Sequence, residues 1–243
     1  MPTMSVDPRT YRSSVVTTDL VNFEVKVDET DLFIRAWRDL RREATDAARR
    51  VRNEIQEHGR RYPDFLASLS PLPTPRGTPP VVRTMYAAAR AAGVGPMAAV
   101  AGTVAEAVGQ ELLKETPEVI VENGGDIYIS TEHVRTVSIF AGASPLSLKV
   151  GLRVPPESLG VCTSSGTVGH SLSFGKADAA VAAADDTALA DAVATAVGNR
   201  VRTPDDVDAA LDFARQVRGV RHVVVIIGDR LGVWGEFEMC SLS

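Results

Sequence analysis

The chain has 243 residues, with 26 Lys and Arg against 31 Asp and Glu, a formal charge of −5. That balance excludes the basic patches a nucleic-acid binder needs, and aromatics at 5% exclude a base-stacking platform. Two cysteines, Cys162 and Cys240, cannot build a disulfide framework, and four scattered histidines show no zinc spacing.

Met1–Tyr11 is polar and no h-region follows it. No apolar run reaches the ~18–20 residues of a membrane span, so a cytoplasmic protein is expected. Val21–Val27 alternates, with Val21, Phe23, Val25 and Val27 on one face, which predicts a half-buried strand. Asp28-Glu29-Thr30 is a turn and Leu32–Ala36 returns, giving an antiparallel hairpin. Asp39–Arg60 is a helix with Leu40, Ala44, Ala47, Val51 and Ile55 inward and a wet, Arg- and Glu-rich face outward. Pro-rich Ser70–Pro80 is irregular and reads as a surface loop, because the hairpin before it is too small to stand alone. The whole chain, 1–243, is therefore expected to be one domain, with the hairpin and helix 39–60 integrated into it.

Val82–Ala92 predicts a second helix. The following Gly93-Val94-Gly95-Pro96-Met97-Ala98 matches a loose dinucleotide fingerprint, but no strand precedes it. Gly93 more simply ends one helix, and Gly95-Pro96 opens the next. That next helix, Met97–Leu113, is Ala- and Gly-rich and uncharged until Glu106, so it is expected to pack deep. Glu118–Ser130 is strand, turn, strand. Its turn, Asn123-Gly124-Gly125-Asp126, is either an ordinary hairpin turn or a place where bare backbone N–H groups meet an anionic ligand. Thr136–Gly142 and Leu146–Val154 are read as further strands.

Cys162-Thr163-Ser164-Ser165-Gly166 reads as a small, polar loop, with His170 between Gly169 and Ser171. Cys162 has no recognisable partner base and reads as a filler rather than a nucleophile. Gly169–Ala177 fails as a phosphate loop of the Walker type: five residues separate its glycines, and Ala177 stands where a hydroxyl is needed. Ala179–Ala184 is a strand. From Thr187 to Asn199 runs a helix whose one charged residue is Asp191, so most of its circumference is expected to be covered. Thr195 lies one turn from Asp191 on the same face. The acid meets water in a cleft, an arginine from elsewhere, or a hard cation such as Mg2+ shared with Thr195. Thr203-Pro204-Asp205-Asp206 starts a last helix. Arg221–Ile227 and Leu231–Gly235 close the chain as a hairpin. The sum is an α+β protein, antiparallel sheets backed by Ala-rich helices.

Three stretches together resemble the ApbE superfamily of FAD:protein FMN transferases. Asn123-Gly124-Gly125-Asp126 is similar to the family's N-x-G-G-D turn, Cys162–Gly166 to its A-T-S-G loop, and Ala190–Ala196 to its A-D-A-L-A-T-A helix. The longer forms GVGPMAAVAG, VENGGDIYI and GVCTSSGTVGHS resemble a small ApbE-like branch of cytoplasmic proteins. The resemblance implies a tunnelling-type fold. It implies that Asp191 and Thr195 bind Mg2+ against an FAD pyrophosphate, with a backbone carbonyl near Val100. Asn123, Gly124, Gly125 and Asp126 then hold the cofactor with Thr163, Ser164, Ser165 and Gly166, and His170 is the catalytic base. Ser171–Ala177 departs from the transferases' I-I-D-P-R-T-G, and Val100-Ala101-Gly102 lacks the lysine of their A-K-G. FMN transfer is one activity the resemblance implies. The alternative is a non-transferring accessory subunit in sulfide-dependent homocysteine formation, beside an iron–sulfur protein partner. Self-association is compatible with either.

Overall fold

A computed structural model describes residue 15, residues 17–167 and residues 174–242. Eleven strands and six α-helices form among these residues. The strands are β1 (Val21–Val27), β2 (Thr30–Ala36), β3 (Val119–Asn123), β4 (Asp126–Ser130), β5 (Arg135–Ser138), β6 (Val150–Val154), β7 (Ser158–Ser164), β8 (Ala179–Ala184), β9 (Val220–Ile227), β10 (Arg230–Gly235) and β11 (Glu238–Ser241). The helices are α1 (Arg41–Arg61), α2 (Pro63–Ala67), α3 (Pro80–Ala92), α4 (Val100–Leu112), α5 (Thr187–Arg200) and α6 (Val207–Arg215), with a 3-10 turn at Pro96–Ala99 before α4.

Eight strands make one antiparallel sheet in the order β1-β2-β3-β4-β7-β8-β9-β10, and β11-β6-β5 make a second, smaller one. The large sheet is covered on both faces. Its odd and even residues enter different cores: Ala180, Ala182 and Ala184 of β8 pack with the helices, while Ala179, Val181 and Ala183 pack with the small sheet. A run of six apolar residues is what a strand buried on both faces requires. The three layers are thus helices, large sheet, small sheet. The N-terminal hairpin belongs to the large sheet, because β2 pairs with β3 from Leu32–Asn123 to Ala36–Val119.

Several expected elements differ, and the chain closes on β11 rather than on the expected hairpin. Thr136–Gly142 and Leu146–Val154 shrink to β5 and β6. Between them a turn is set by the bond from Leu148 N–H to Ile139 O (2.8 Å) and by left-handed Leu148 at φ 59°. Ile139 and Ala141 stay buried, but the Gly-Ala-Ser-Pro punctuation overrides strand pairing. Cys162, Thr163 and Ser164 are strand, not loop: they end β7 and pair with Ala182, Val181 and Ala180. Their small size answers α5 lying close across the strand. A Cβ on Gly160 would come within 2.4 Å of Thr187 Cα. His170 lies outside the described residues, as does the polar segment Met1–Tyr11.

Candidate functional site

α5 is buried nearly all round, from Thr187 to Gly198. It lies on β7 and β8 and is flanked by α3 and α4. Gly102 is what lets α4 come this close: a Cβ there would sit 2.4 Å from Thr187 O and 2.9 Å from Asp191 Cβ. The two helices cap each other. Gly102 N–H, in the first turn of α4, donates to Asp191 Oδ2 at 2.9 Å, and Ala101 N–H also reaches that carboxylate. In return Glu106 Oε2 of α4 accepts from Thr187 N–H at the start of α5, at 2.7 Å. Each acid satisfies amides that a helix start leaves without partners, and each sits where the helix dipole favours negative charge.

Asp191 is therefore not the unpaired carboxylate that its charge-poor helix suggests; backbone amides, rather than an arginine, partner it. They do not offset its burial. Burial pushes Asp191 up to about 7, with the Gly102 and Ala101 amides pulling the other way. Asp126, at the start of β4, is raised well above the carboxylate range by burial and then by the neighbouring Asp191 charge. Its Oδ1 accepts from Thr163 N–H at 3.3 Å, and Cys162 hydrogen-bonds to the same carboxylate. The Cys162 thiol is itself raised by burial and by both acids, and its Sγ lies 3.5 Å from Thr187 O. It is held as a neutral thiol. Among the described residues neither Asp126 nor Asp191 forms an ion pair with a cationic side chain.

The turn between β3 and β4 approaches the same place. Gly124 and Gly125 have φ of 68° and 104°, which side chains rarely adopt. A Cβ on Gly124 would meet nothing within 4 Å, and one on Gly125 only Thr163 O at 3.9 Å, so the turn leaves open space over it. Glu122 Oε1 braces the turn by accepting from Gly125 N–H at 2.7 Å. Asn123 Nδ2 donates to Ala101 O at 3.0 Å, tying the turn to the first turn of α4.

The structure thus brings Asn123–Asp126, Thr163 and Asp191 together, with Thr195 half-buried one turn further along α5. Ser164, Ser165 and Gly166 have contacts of their own. Ser164 stands against Gly198. Ser165 Oγ accepts from Thr167 N–H, and Gly166 N–H donates to Ala177 O at 2.9 Å. Sequence reasoning misses Gly102, Glu106 and Glu122 as site residues. A signal for Glu106 exists, since it is the first charge on a helix that is uncharged up to that point. A second cluster, Asp19, Glu118 and His133, has metal-like proximity, but Arg135 fills it. Its guanidinium donates to both Asp19 oxygens (2.8 and 2.7 Å) and to Glu118 Oε2 (2.6 Å).

The family model described as AbpE bacteria matches residues 13–236. The chain belongs to that family. This ApbE-like chain is 45% identical over 193 residues to a UPF0280 protein of Methanocella arvoryzae, spanning 78% of each chain. It is 40% identical over 222 residues to a UPF0280 protein of Methanococcus aeolicus, spanning 88% of this chain and 86% of that one. A variant of the flavin transferase ApbE from Vibrio cholerae superposes with a TM-score of 0.58 at 12% identity, covering 89% of this chain and 97% of that one. The apo flavinyl transferase ApbE of Pseudomonas stutzeri gives 0.53 at 12% identity, covering 88% and 94%. At that identity the solved structures establish the ApbE-like α+β fold, as the three sequence stretches implied. Among the described residues no single ApbE-like helix is long and apolar enough to cross a membrane.

Proposed function

We propose that the protein binds a flavin dinucleotide, or another pyrophosphate ligand, through Mg2+ held at Asp191 and Thr195. One observation carries this reading: two buried carboxylates, Asp126 and Asp191, adjoin each other, and among the described residues neither forms an ion pair with a cationic side chain. Buried like charges are costly, and a divalent cation is the group that relieves them. The donors fit Mg2+, which takes hard oxygens from one or two side chains and the rest from water and phosphate. The Gly124-Gly125 turn fits the phosphates, since no Cβ fills the space above it. When bound, the ion supplies neutralisation of the pyrophosphate charge. The chain's own residues do the rest: the Ala101 and Gly102 amides orient Asp191, Asn123 and Glu122 fix the turn, and β7 shields Asp126 from water. In this reading the activity is FMN transfer: His170 takes the proton of an acceptor hydroxyl, whose oxygen bonds to the FMN phosphorus as the pyrophosphate bond of FAD breaks and AMP leaves.

The test is a titration of FAD fluorescence, with and without Mg2+, on wild type and Asp191→Ala. Mg2+-dependent binding by wild type and its loss in the variant are expected. Equal binding by both proteins places the ligand elsewhere. Absence of binding by both favours the accessory-subunit reading, with an iron–sulfur partner.

A further inference from the structure

Among the described residues no strand pairs with the outer side of β1 or of β10, the two ends of the large sheet. A free edge presents backbone N–H and C=O groups to any other chain, and proteins usually blunt it with charge. The two edges differ in this. Both strands belong to hairpins with two-residue turns, closed at Val27–Thr30 and at Ile227–Arg230. The closing pair of such a hairpin bonds inward, so the next residue, and every second one after it, turns its backbone groups outward. On β1 those residues are Lys26, Glu24 and Asn22, all exposed. On β10 they are Leu231, Val233 and Gly235, with Leu231 and Val233 37% and 38% exposed. The β1 edge is charged; the β10 edge is apolar.

α6 lies beside that edge. Val207 and Leu211 stand over Gly232, where an added Cβ would come within 2.2 Å of Val207 Cγ1. α6 packs on β9 as well as on β10, so its axis lies over the groove between them. Asp208 pairs with Arg230 at 3.5 Å, and the Arg215 guanidinium lies 5.9 Å from the centre of the Trp234 ring. α6 thus runs in the same direction as β10. Exposed Asp208, Asp212 and Arg215 form its outer flank.

We propose that β10 and α6 are the interface of a homodimer, in which the β10 edges of two copies pair antiparallel about a two-fold axis at Val233 and join two eight-stranded sheets into one. An isologous interface must be complementary to itself, and this one is. The axis sets outward residues against outward residues: Val233 against the partner's Val233, and Leu231 against the partner's Gly235. On the other face it sets exposed Arg230 against the partner's Glu236. Because α6 follows β10, the same axis sets Asp208 against the partner's Arg215. Moving the axis to Gly232 would put Arg230 against the partner's Trp234 and lose the first of these charge pairs. The spacing also fits. Strands lie ~4.8 Å apart, so two helices, each half a strand inside its own edge, stand ~10 Å apart across the axis, within the ~8–10 Å of packed helices.

Sedimentation of the whole protein at micromolar concentration is the test. Wild type is expected to run as a dimer. Val233→Lys sets like charges against each other at the axis and should give a monomer with unchanged far-ultraviolet circular dichroism. Asp208→Arg and Arg215→Asp, each alone, should weaken the dimer about tenfold or more, since each puts like charges together across the axis. Combined, they should recover it. Positions 208 and 215 are two helical turns apart, ~10 Å along one chain, so they can compensate each other only between copies. Should Val233→Lys fail to fold, the two exposed charge variants carry the test. The proposal is overturned by a monomeric wild type, by a folded Val233→Lys variant that dimerises like wild type, or by a charge exchange that recovers nothing. Neither FAD nor Mg2+ enters the experiment, so its failure leaves the cation reading as it stands.

Discussion

Asp191 carries two duties that pull against each other. As a cap on α4 it is worth about 0.5–2 kcal/mol, the usual cost of removing an N-cap. As a buried acid it is raised from 3.8 to about 7. The sign follows: in the unfolded chain Asp191 ionises near pH 4, while in the folded chain it keeps its proton to near pH 7. The stability it contributes is full below pH 4 and is lost as pH rises to 7. His222 works in the opposite direction over the same span, since burial holds it at about 4 and its neutral form is the folded one. A comparison with Asp191→Asn isolates the acid. In EDTA, urea midpoints of wild type relative to the Asn variant should fall between pH 4 and 7 and level off above. A flat difference would mean that Asp191 is ionised throughout. Arg135 gives a second residue-scale expectation. Burial alone would raise fully buried Glu118, and the Arg135 guanidinium, the Glu132 amide and His133 together more than reverse that, leaving it below its usual value. Arg135→Met strands that charge and should cost about 3–5 kcal/mol in urea unfolding, as for other broken buried pairs.

Among the elements, α4 shows how glycine positions the site. Ala is favoured over Gly by about 1 kcal/mol in a helix interior, but overpacking costs about 1–3 kcal/mol. At Gly102 the added Cβ would press on Thr187 backbone, which cannot rotate away. Gly102→Ala should therefore destabilise the fold and disturb cation binding together, since it also shifts the amide that holds Asp191. At Gly109 the obstacle is the Tyr128 ring, 2.2 Å from where the added methyl would sit and far from Asp191's amides. Gly109→Ala should cost stability and leave cation affinity unchanged. Calorimetry of Mg2+ binding on both variants separates the two effects. The same packing explains what was legible in the sequence. Val21–Val27, Ala179–Ala184 and the helix from Thr187 carry strong periodicity or unbroken apolar runs, and they form where expected. Cys162–Ser164 does not announce a strand, because its small polar residues record the closeness of a helix that is distant in sequence. The carboxylate site is half legible for a similar reason. Asp191, Thr195 and the Asn123–Asp126 turn are local patterns, whereas the tie of Asn123 to Ala101 and the paired caps at Gly102 and Glu106 exist only once α4 meets α5 and β3.

At the scale of the molecule, the two tryptophans stand near opposite ends of the large sheet: Trp37 just after β2, and Trp234 in the edge strand β10. They allow a test of whether the N-terminal hairpin folds with the rest. Trp37→Phe leaves Trp234 as reporter, and Trp234→Phe leaves Trp37. If the sheet is one cooperative unit, each variant's fluorescence and far-ultraviolet circular dichroism should give coincident urea transitions. Separate midpoints would assign the hairpin its own stability. The paired caps bear on the order of events as the chain folds. Gly102 and Asp191 are 89 residues apart, and Thr187 and Glu106 are 81 apart. Closing loops of that length is slow compared with local helix formation. The proposed cation site thus has no precursor in a chain shorter than about α5, whether that chain is refolding or still emerging from a ribosome. A ligand added at the start of refolding has nothing to nucleate, and its effect falls on the reverse reaction. Mg2+ with FAD should leave the refolding rate nearly unchanged and slow unfolding, so that the complex, once made, is lost more slowly than the apoprotein unfolds.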